Sequence, residues 1–213
     1  MPEEKQEYFF PEINTDTPPS FEPEKPGLKT LNTLGQFIWE TVKIVIISLI
    51  IILPIRYYVI QPFYVKGASM EPNFYDHEYL IINEISYRFE EPTRGDIVVF
   101  HYPKSPADFF IKRIIGLPGE KVRIKNNSIV IYNDKNPDGF VLNESEYLEA
   151  GTLTNGDLEV YLEEDEYYVL GDNRVSSLDS RSFGPIKRDD IIGKTWLRGW
   201  PFDRIKIFER PEY

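Results

Sequence analysis

The sequence predicts a mostly β domain that follows one membrane-spanning helix. After Gln61, short runs rich in β-branched and aromatic residues recur, and turn dipeptides such as Pro-Gly and Asn-Gly separate them, which is typical of β-strands. Before Gln61, residues 42–60 form an almost continuous apolar run, which is typical of a membrane span. The length of 213 residues suits one principal domain plus such an anchor.

Residues 1–36 are predicted to form a disordered, acidic, proline-rich tail. Prolines at positions 2, 11, 18, 19, 23 and 26 lie among acidic and polar side chains. A segment of this composition buries too little apolar surface to offset the chain entropy lost on folding. The alternative is a tail that docks on the folded domain.

Residues 37–61 are predicted to form the transmembrane anchor. As a helix, the apolar run 42–60 would be about 28 Å long, close to the ~30 Å hydrocarbon core of a bilayer. Pro54 and Arg56 lie near its end, where a proline can kink the helix and an arginine can extend to the interface. The run lies far from the N-terminus without an A-x-A-like exit, which disfavours a cleavable signal peptide. Ile and Leu on every face disfavour a buried core helix.

The charges that flank the apolar run predict its orientation. Lys25, Lys29 and Lys43 precede the centre of the span, whereas Arg56 and Lys66 follow it. Positive charge concentrates on the cytoplasmic side of membrane proteins, so this small excess favours an inner N-terminus. We therefore expect a single-pass plasma-membrane protein whose β domain lies on the outer face.

The β domain is predicted over residues 62–213. Its candidate strands are 78–85, 96–102, 109–115, 121–124, 128–132, 166–170 and 203–209. The segment 126–166 is more polar and richer in turn residues, so we expect a small hairpin extension there rather than a separate domain.

Composition excludes several classes of function. The net charge of −11 argues against a nucleic-acid partner, because binding phosphates needs a dense surface of lysine and arginine. The chain has no cysteine, which excludes disulfides, a thiol nucleophile and thiolate metal sites.

Ser69 is a candidate nucleophile in the motif Gly-Ala-Ser-Met-Glu-Pro, residues 67–72. Two small residues before the serine allow a substrate backbone to approach closely, and Pro72 stiffens the exit of the turn. Backbone N–H groups here could point at a developing oxyanion. Without a base nearby, a serine in such a turn is usually a turn residue only.

Lys112 is a stronger candidate base for this serine than either histidine. His77 lies in a loop and His101 continues a strand, both outside any recognisable triad setting, and the G-x-S-x-G motif is absent. Phe110, Lys112 and Ile114 share one strand face, so the amine has apolar neighbours. Burial lowers the pKa of a lysine and leaves a neutral amine that can take the serine proton. The alternative is a lysine at a sheet edge with its amine in water.

The loop of residues 171–184, GDNRVSSLDSRSFG, supplies groups that could orient a lysine base. Its serines can accept hydrogen bonds from an amine, and its aspartates and arginines can form ion pairs. By itself such a loop is an ordinary turn with solvated charges.

Together these segments resemble the type I signal peptidases, a family of membrane-bound Ser–Lys serine endopeptidases. The order matches: an apolar anchor, then ASMEP (68–72), RGDIVVF (94–100), FIKRIIGLPGE (110–120) and the loop 171–184. The resemblance covers most of residues 42–190. It implies a mostly antiparallel, barrel-like β catalytic domain, and no metal or organic cofactor.

The resemblance also implies residue roles. It makes Ser69 the nucleophile and Lys112 the general base, and Ser177 the serine that orients the lysine amine. The residues that brace the site through ion pairs would be Asp172, Asp179, Arg181 and Arg113. Some members carry a serine two residues before the nucleophile; that position is Gly67 here, so the Ser69 N–H would contribute more to the oxyanion hole.

The resemblance further implies the substrate. A preprotein with a signal peptide would pair its backbone with residues 63–66 and 108–111. Pockets formed by Val65, Met70 and Ile111 would accept small side chains at positions −1 and −3, the A-x-A pattern of secretory signals. The expected partners are such preproteins and the lipid bilayer, and we expect a monomer.

Two other functions fit parts of the sequence. A self-cleaving, repressor-like Ser–Lys protease shares the chemistry but predicts a DNA-binding helix pair, where residues 1–60 offer an acidic tail and an apolar span. An inactive, membrane-tethered β domain that binds extended peptides predicts the loss of Ser69 or Lys112, yet both are present.

Overall fold

The structure is a computed structural model that describes residues 27–58 and 60–211. The chain divides into two compact units between Leu49 and Ile50. The first contains most of an apolar helix and the second contains the β domain. Residues 1–26, most of the predicted tail, lie outside the described residues.

Helix α1 extends from Gly27 to Tyr58 and so begins within the segment 1–36 that was predicted as a tail. The leucines at positions 28, 31 and 34 continue the helical spacing upstream of the apolar run. Pro26 directly precedes the helix, in a position where a proline does not break it. Leu34–Leu53 spans 20 residues with a mean hydropathy of 2.1, which is long and apolar enough to cross a membrane.

The apolar side chains of this span are exposed rather than packed. Those from Leu34 to Leu53 all lie on the surface of the described structure. A core helix of a soluble domain would bury one face. The described part of the helix therefore differs from a core helix in the exposure of its apolar side chains, and its role as a membrane anchor stays a prediction.

The described residues form twelve strands and one short second helix. In chain order the strands are β1 (Ile60–Tyr64), β2 (Tyr79–Asn83), β3 (Ile97–Tyr102), β4 (Ser105–Gly116), β5 (Lys121–Lys125), β6 (Ser128–Asn133), β7 (Asn136–Val141), β8 (Leu158–Tyr161), β9 (Glu166–Leu170), β10 (Ile186–Lys187), β11 (Ile191–Trp200) and β12 (Lys206–Ile207). Helix α2 is Ser180–Phe183, and short 3-10 turns occupy Ser86–Arg88, Arg188–Asp190 and Phe202–Arg204.

The larger sheet has eight strands in the order β1-β2-β11-β3-β4-β9-β10, with β12 paired to β11. Every pairing is antiparallel. Apolar side chains of β3 and the second half of β4 are buried at consecutive positions, which indicates that both faces of the sheet are covered there. The prediction of a mostly antiparallel β fold with one N-terminal apolar helix is confirmed.

Strand β11 was not among the predicted strands, although it pairs with both β2 and β3. Its register shifts at three places, between Ile191 and Gly193, Thr195 and Leu197, and Arg198 and Trp200. Each β-bulge inserts a residue and interrupts the alternation of buried and exposed side chains. Of the predicted strand 203–209, only Lys206–Ile207 is a strand (β12), and residues 203–204 belong to the 3-10 turn Phe202–Arg204.

The smaller sheet has four antiparallel strands in the order β7-β6-β5-β8. It contains the predicted hairpin segment 126–166 and also β5, which precedes that segment. Isoleucines of β5 and β6 alternate inward and are buried with Tyr168 and Leu170 of β9. The two sheets of the β domain therefore share a hydrophobic core.

Candidate active site

Ser69 lies in the turn that connects β1 to β2. Gly67 has φ of +90°, a left-handed conformation that favours glycine because it has no Cβ. The Gly67 N–H donates to Asp76 Oδ1 at 2.9 Å, and the Glu71 N–H donates to the Ala68 carbonyl at 3.2 Å. These bonds hold the turn on both sides of Ser69.

Lys112 of β4 brings its amine to this serine. Lys112 Nζ lies 2.8 Å from Ser69 Oγ and donates to the Ile111 carbonyl, also at 2.8 Å. The residue is only 3% exposed, and Nζ lies 5.3 Å from the centre of the Phe110 ring. The sequence prediction that apolar neighbours surround the amine agrees with this geometry.

Burial lowers the pKa of Lys112 to about 8, although the charges of Asp179 and Asp172 act to raise it. Desolvation penalises the charged ammonium and so favours the neutral amine. An amine with this pKa is partly neutral near pH 7. The pair can therefore transfer a proton from the hydroxyl to the amine.

The loop after β9 lies directly against the Ser69 turn. The Asn173 N–H donates to the Ser69 carbonyl at 3.0 Å, and Asn173 Nδ2 donates to the Ala68 carbonyl at 3.1 Å. A Cβ added to Gly171 would lie 2.5 Å from the Ser69 carbonyl oxygen and 2.2 Å from Ser177 Oγ. Only glycine fits this close approach of two backbones.

Ser177 lies in this contact region, but no hydrogen bond joins it to Lys112. Its Oγ is buried and has no hydrogen-bond partner among the described residues. The role of Ser177 in orienting the amine stays a prediction.

Two buried ion pairs flank the serine and the lysine. Arg113 donates to both carboxylate oxygens of Asp172, at 2.8 and 2.7 Å. Arg181 binds Asp179 in the same two-pronged manner, at 2.8 Å for each bond, and Asp179 also accepts the Gly171 N–H at 3.1 Å. Such bidentate pairs fix geometry as well as charge. The Arg113–Asp172 pair connects β4 to the loop 171–184, and the Arg181–Asp179 pair lies within that loop.

A cleft of about 350 Å³ opens beside Ser69 and Lys112. Residues 63–66 and 108–112 form its two sides, and Val65 and Ile111 contribute to the lining as predicted. Met70 is placed differently: it is 1% exposed and packs in the core with Phe74 and Leu80. Its large apolar side chain is more stable in the core than at the cleft surface.

The strands on both sides of this cleft have unpaired edges within the described structure. Strand β1 pairs only with β2. Strand β4 pairs with β3 along its length, but β9 covers its other edge only from Arg113 onward. Backbone groups of β1 and of the first part of β4 are therefore available to an extended peptide.

Neither histidine bonds to Ser69 in the described structure. His101 Nδ1 lies 2.7 Å from the Pro106 carbonyl oxygen, and His77 contacts Asp76 and Tyr64. The described residues also contain no group of His, Cys, Asp and Glu side chains that could hold a metal ion.

Two residues that position the Ser69 turn, Asp76 and Asn173, were not predicted to do so. Asp76 belongs to the loop YDHEY, in which the histidine is the usual candidate for a catalytic role. Its distance from Gly67 in sequence gives no indication that the two residues bond. Asn173 lies in the GDNR turn, whose contact with Ser69 depends on the fold of the whole sheet.

A serine hydroxyl within hydrogen-bond distance of a buried, partly neutral amine is the pair of groups that a serine peptidase needs. Residues 38–200 match the family described as "Signal peptidase, peptidase S26", so the chain belongs to this signal peptidase family. The family resemblance inferred from the sequence motifs is thereby confirmed.

The chain is similar to several named relatives. Signal peptidase IB of Staphylococcus aureus (strain MRSA252) is 35% identical over 177 residues, which cover 78% of this chain and 91% of the relative. The probable signal peptidase I-2 of Synechocystis sp. is 36% identical over 173 residues, covering 79% and 76%. The crystal structure of a signal peptidase I from Enterococcus faecalis V583 is 30% identical and covers 49% of this chain and 97% of that chain, with a TM-score of 0.41.

Proposed function

We propose that this chain is a membrane-anchored endopeptidase that removes N-terminal signal peptides from exported preproteins with a Ser69–Lys112 dyad. The observation that carries the proposal is the 2.8 Å distance between Ser69 Oγ and Lys112 Nζ, with an amine pKa of about 8. The family supports the peptidase activity on signal peptides. Helix α1 would anchor the enzyme in the bilayer, with the β domain on the outer face.

In the proposed mechanism Lys112 acts as the general base. Its neutral amine accepts the Ser69 proton while Oγ attacks the carbonyl carbon of the −1 residue. The ammonium then protonates the departing amine, the C–N bond breaks, and the new N-terminus of the mature chain leaves. Water, deprotonated by Lys112, hydrolyses the acyl-enzyme and releases the signal peptide.

The developing oxyanion would be stabilised by the Ser69 N–H. The Gly67 N–H is already bonded to Asp76 and would not contribute. Asp172 and Asp179, with their arginine partners, would brace the amine and its loop, and Ser177 would orient the amine.

The substrate would bind as an extended strand between β1 and β4. Its backbone would pair with the unpaired strand edges at residues 63–66 and 108–111. Val65 and Ile111 would form shallow apolar pockets for small residues at −1 and −3. A bulky side chain at −1 would hold the scissile carbonyl away from Ser69 Oγ.

Two substitutions test the dyad: Ser69→Ala and Lys112→Ala should each abolish cleavage of a preprotein by the purified enzyme in detergent. Lys125→Ala is the matched control, since Lys125 is exposed on β5, and it should retain full activity. The mass of the product should place the cut after a small residue at the signal boundary. Full turnover by Lys112→Ala would show that the assigned base is wrong.

A further inference from the structure

A second cleft, of about 550 Å³, begins where the Ser69 turn ends. Its walls come from residues 71–75, 148–155 and 172–175, and it shares no lining residue with the cleft beside Lys112. Nothing in the proposed mechanism uses this second cleft. An endopeptidase, however, must hold its substrate on both sides of the bond that it cuts.

The second cleft is joined to Ser69 by direct contacts. Glu71 and Pro72 follow the serine in the same turn. The facing wall contains Asn173, whose N–H donates to the Ser69 carbonyl at 3.0 Å. A peptide that lies in the first cleft with its scissile carbonyl at Ser69 therefore enters the second cleft within a residue or two.

The charges of the second cleft do not balance. Among its lining residues, Asp172 is paired with Arg113, and Arg174 is paired with Glu144. The side chains of Glu71 and Glu149 have no ion-pair or hydrogen-bond partner among the described residues. Two uncompensated carboxylates give the cleft a negative potential.

We propose that this second cleft receives the first residues of the mature chain, downstream of the scissile bond, and that Glu71 and Glu149 make it select basic over acidic side chains there. The inference rests on the proposed function, because it assumes that a preprotein spans Ser69. The neutral lining of Pro72, Leu153 and Val175 accommodates the aliphatic stem of a lysine or arginine while the carboxylates bind its charge.

The test uses three preproteins that differ only at the second and third positions after the cut, with two lysines, two glutamines or two glutamates. The wild-type full-length enzyme in detergent should cleave them with kcat/KM in the order Lys, Gln, Glu, each step about threefold. About 0.5 M salt should reduce these differences, since screening weakens exposed charge pairs. The position of the cut should be the same in all three.

A charge reversal in the cleft tests the assigned residue. Glu149→Lys should abolish the preference among the three substrates, because the new ammonium offsets the remaining carboxylate of Glu71. Glu164→Lys is the matched control, because Glu164 is exposed, changes the net charge equally and lines neither cleft; it should keep the wild-type order.

The possible results are distinct. Equal kcat/KM for all three substrates with the wild-type enzyme, or the full wild-type preference retained in Glu149→Lys, would overturn this inference while leaving the proposed peptidase intact. If the wild type cut none of the three, the proposed function would fail and the inference with it. Should Glu149→Lys not fold, the ranking of the three substrates by the wild type still decides.

Discussion

Lys112 combines two properties that usually exclude each other. Its amine is almost completely removed from water, yet it bonds only to a hydroxyl and a carbonyl oxygen rather than to a carboxylate. Asp172 and Asp179 are close enough to act on its pKa, but their bidentate arginine partners offset much of their charge. The desolvation effect therefore dominates, and the amine loses its proton more easily than a surface lysine.

This pKa predicts the pH dependence of activity. Because the base must be neutral, and its pKa is about 8, kcat/KM should rise about tenfold per pH unit below pH 7 and level off above about pH 9. The measurement is the rate of preprotein cleavage at limiting substrate from pH 6 to about pH 10. A profile with its midpoint near 10.5, the value of a solvated lysine, would contradict the assignment of a buried base.

Gly171 predicts a steric effect on the same site. The Cβ of Gly171→Ala would collide with the Ser69 carbonyl oxygen and with Ser177, and would push the turn away from Lys112. A displacement of about 1 Å can cost about 100-fold in rate, so we expect at least that loss in kcat with the fold retained. Gly199→Ala is the control, since its nearest neighbour would be at 3.9 Å; a similar loss there would point to general destabilisation.

At the level of single residues, Ser69 and Lys112 could be predicted as partners because each lies in a short, ordered motif. Met70 could not be placed correctly, because a turn allows neighbouring side chains to point either to the cleft or to the core. Asp76 and Asn173 could not be predicted as supports of the turn, since their hydrogen bonds to residues 67–69 depend on the path of the whole chain.

At the level of secondary-structure elements, the link between β4 and the loop 171–184 depends on one buried ion pair. Arg113 is 3% exposed and Asp172 is 2% exposed. The guanidinium also donates to the Gly95 carbonyl at 3.0 Å and stacks 3.9 Å from the Tyr147 ring centre. This pair connects the strand that carries Lys112 to the loop that touches Ser69.

Removing either side chain of the Arg113–Asp172 ion pair should therefore destabilise the fold. Arg113→Met and Asp172→Leu should each lower the free energy of unfolding by about 3–5 kcal/mol, because each leaves a buried charge unpaired. The loss in the free energy of unfolding of the double variant should be clearly smaller than the sum of the two single losses. Urea unfolding in detergent, followed by tryptophan fluorescence, measures all three. Additive losses would show that the two side chains stabilise the fold independently.

The elements that were predicted well are those with regular patterns. Strands β3 and β9 and the second half of β4 are rich in β-branched and aromatic residues, and most of their side chains are buried. Strand β11 was missed because its bulges break the alternation, and β7 and β8 because their side chains are mostly exposed or half-buried. Pairing with other strands, which the local sequence does not encode, holds these elements in place.

At the level of the whole molecule, most of the apolar helix and the β domain lie in separate units, so the proposed membrane topology must be measured directly. The chain lacks cysteine, which makes single-cysteine labelling straightforward. We expect Glu164→Cys to react with a membrane-impermeant maleimide in intact cells, and Glu4→Cys to react only after permeabilisation, because the flanking lysines favour an inner N-terminus. The opposite pattern would reverse the proposed orientation.

The two unpaired strand edges that border the cleft would also determine which parts of an exported protein can be cleaved. A groove that recognises main-chain amides admits only a stretch of polypeptide whose own amides are free. Helices, hairpins and compact domains have already paired theirs internally. A folded protein would thus be protected from cleavage by its own secondary structure. Only the extended segment at the end of the signal peptide would reach the catalytic serine.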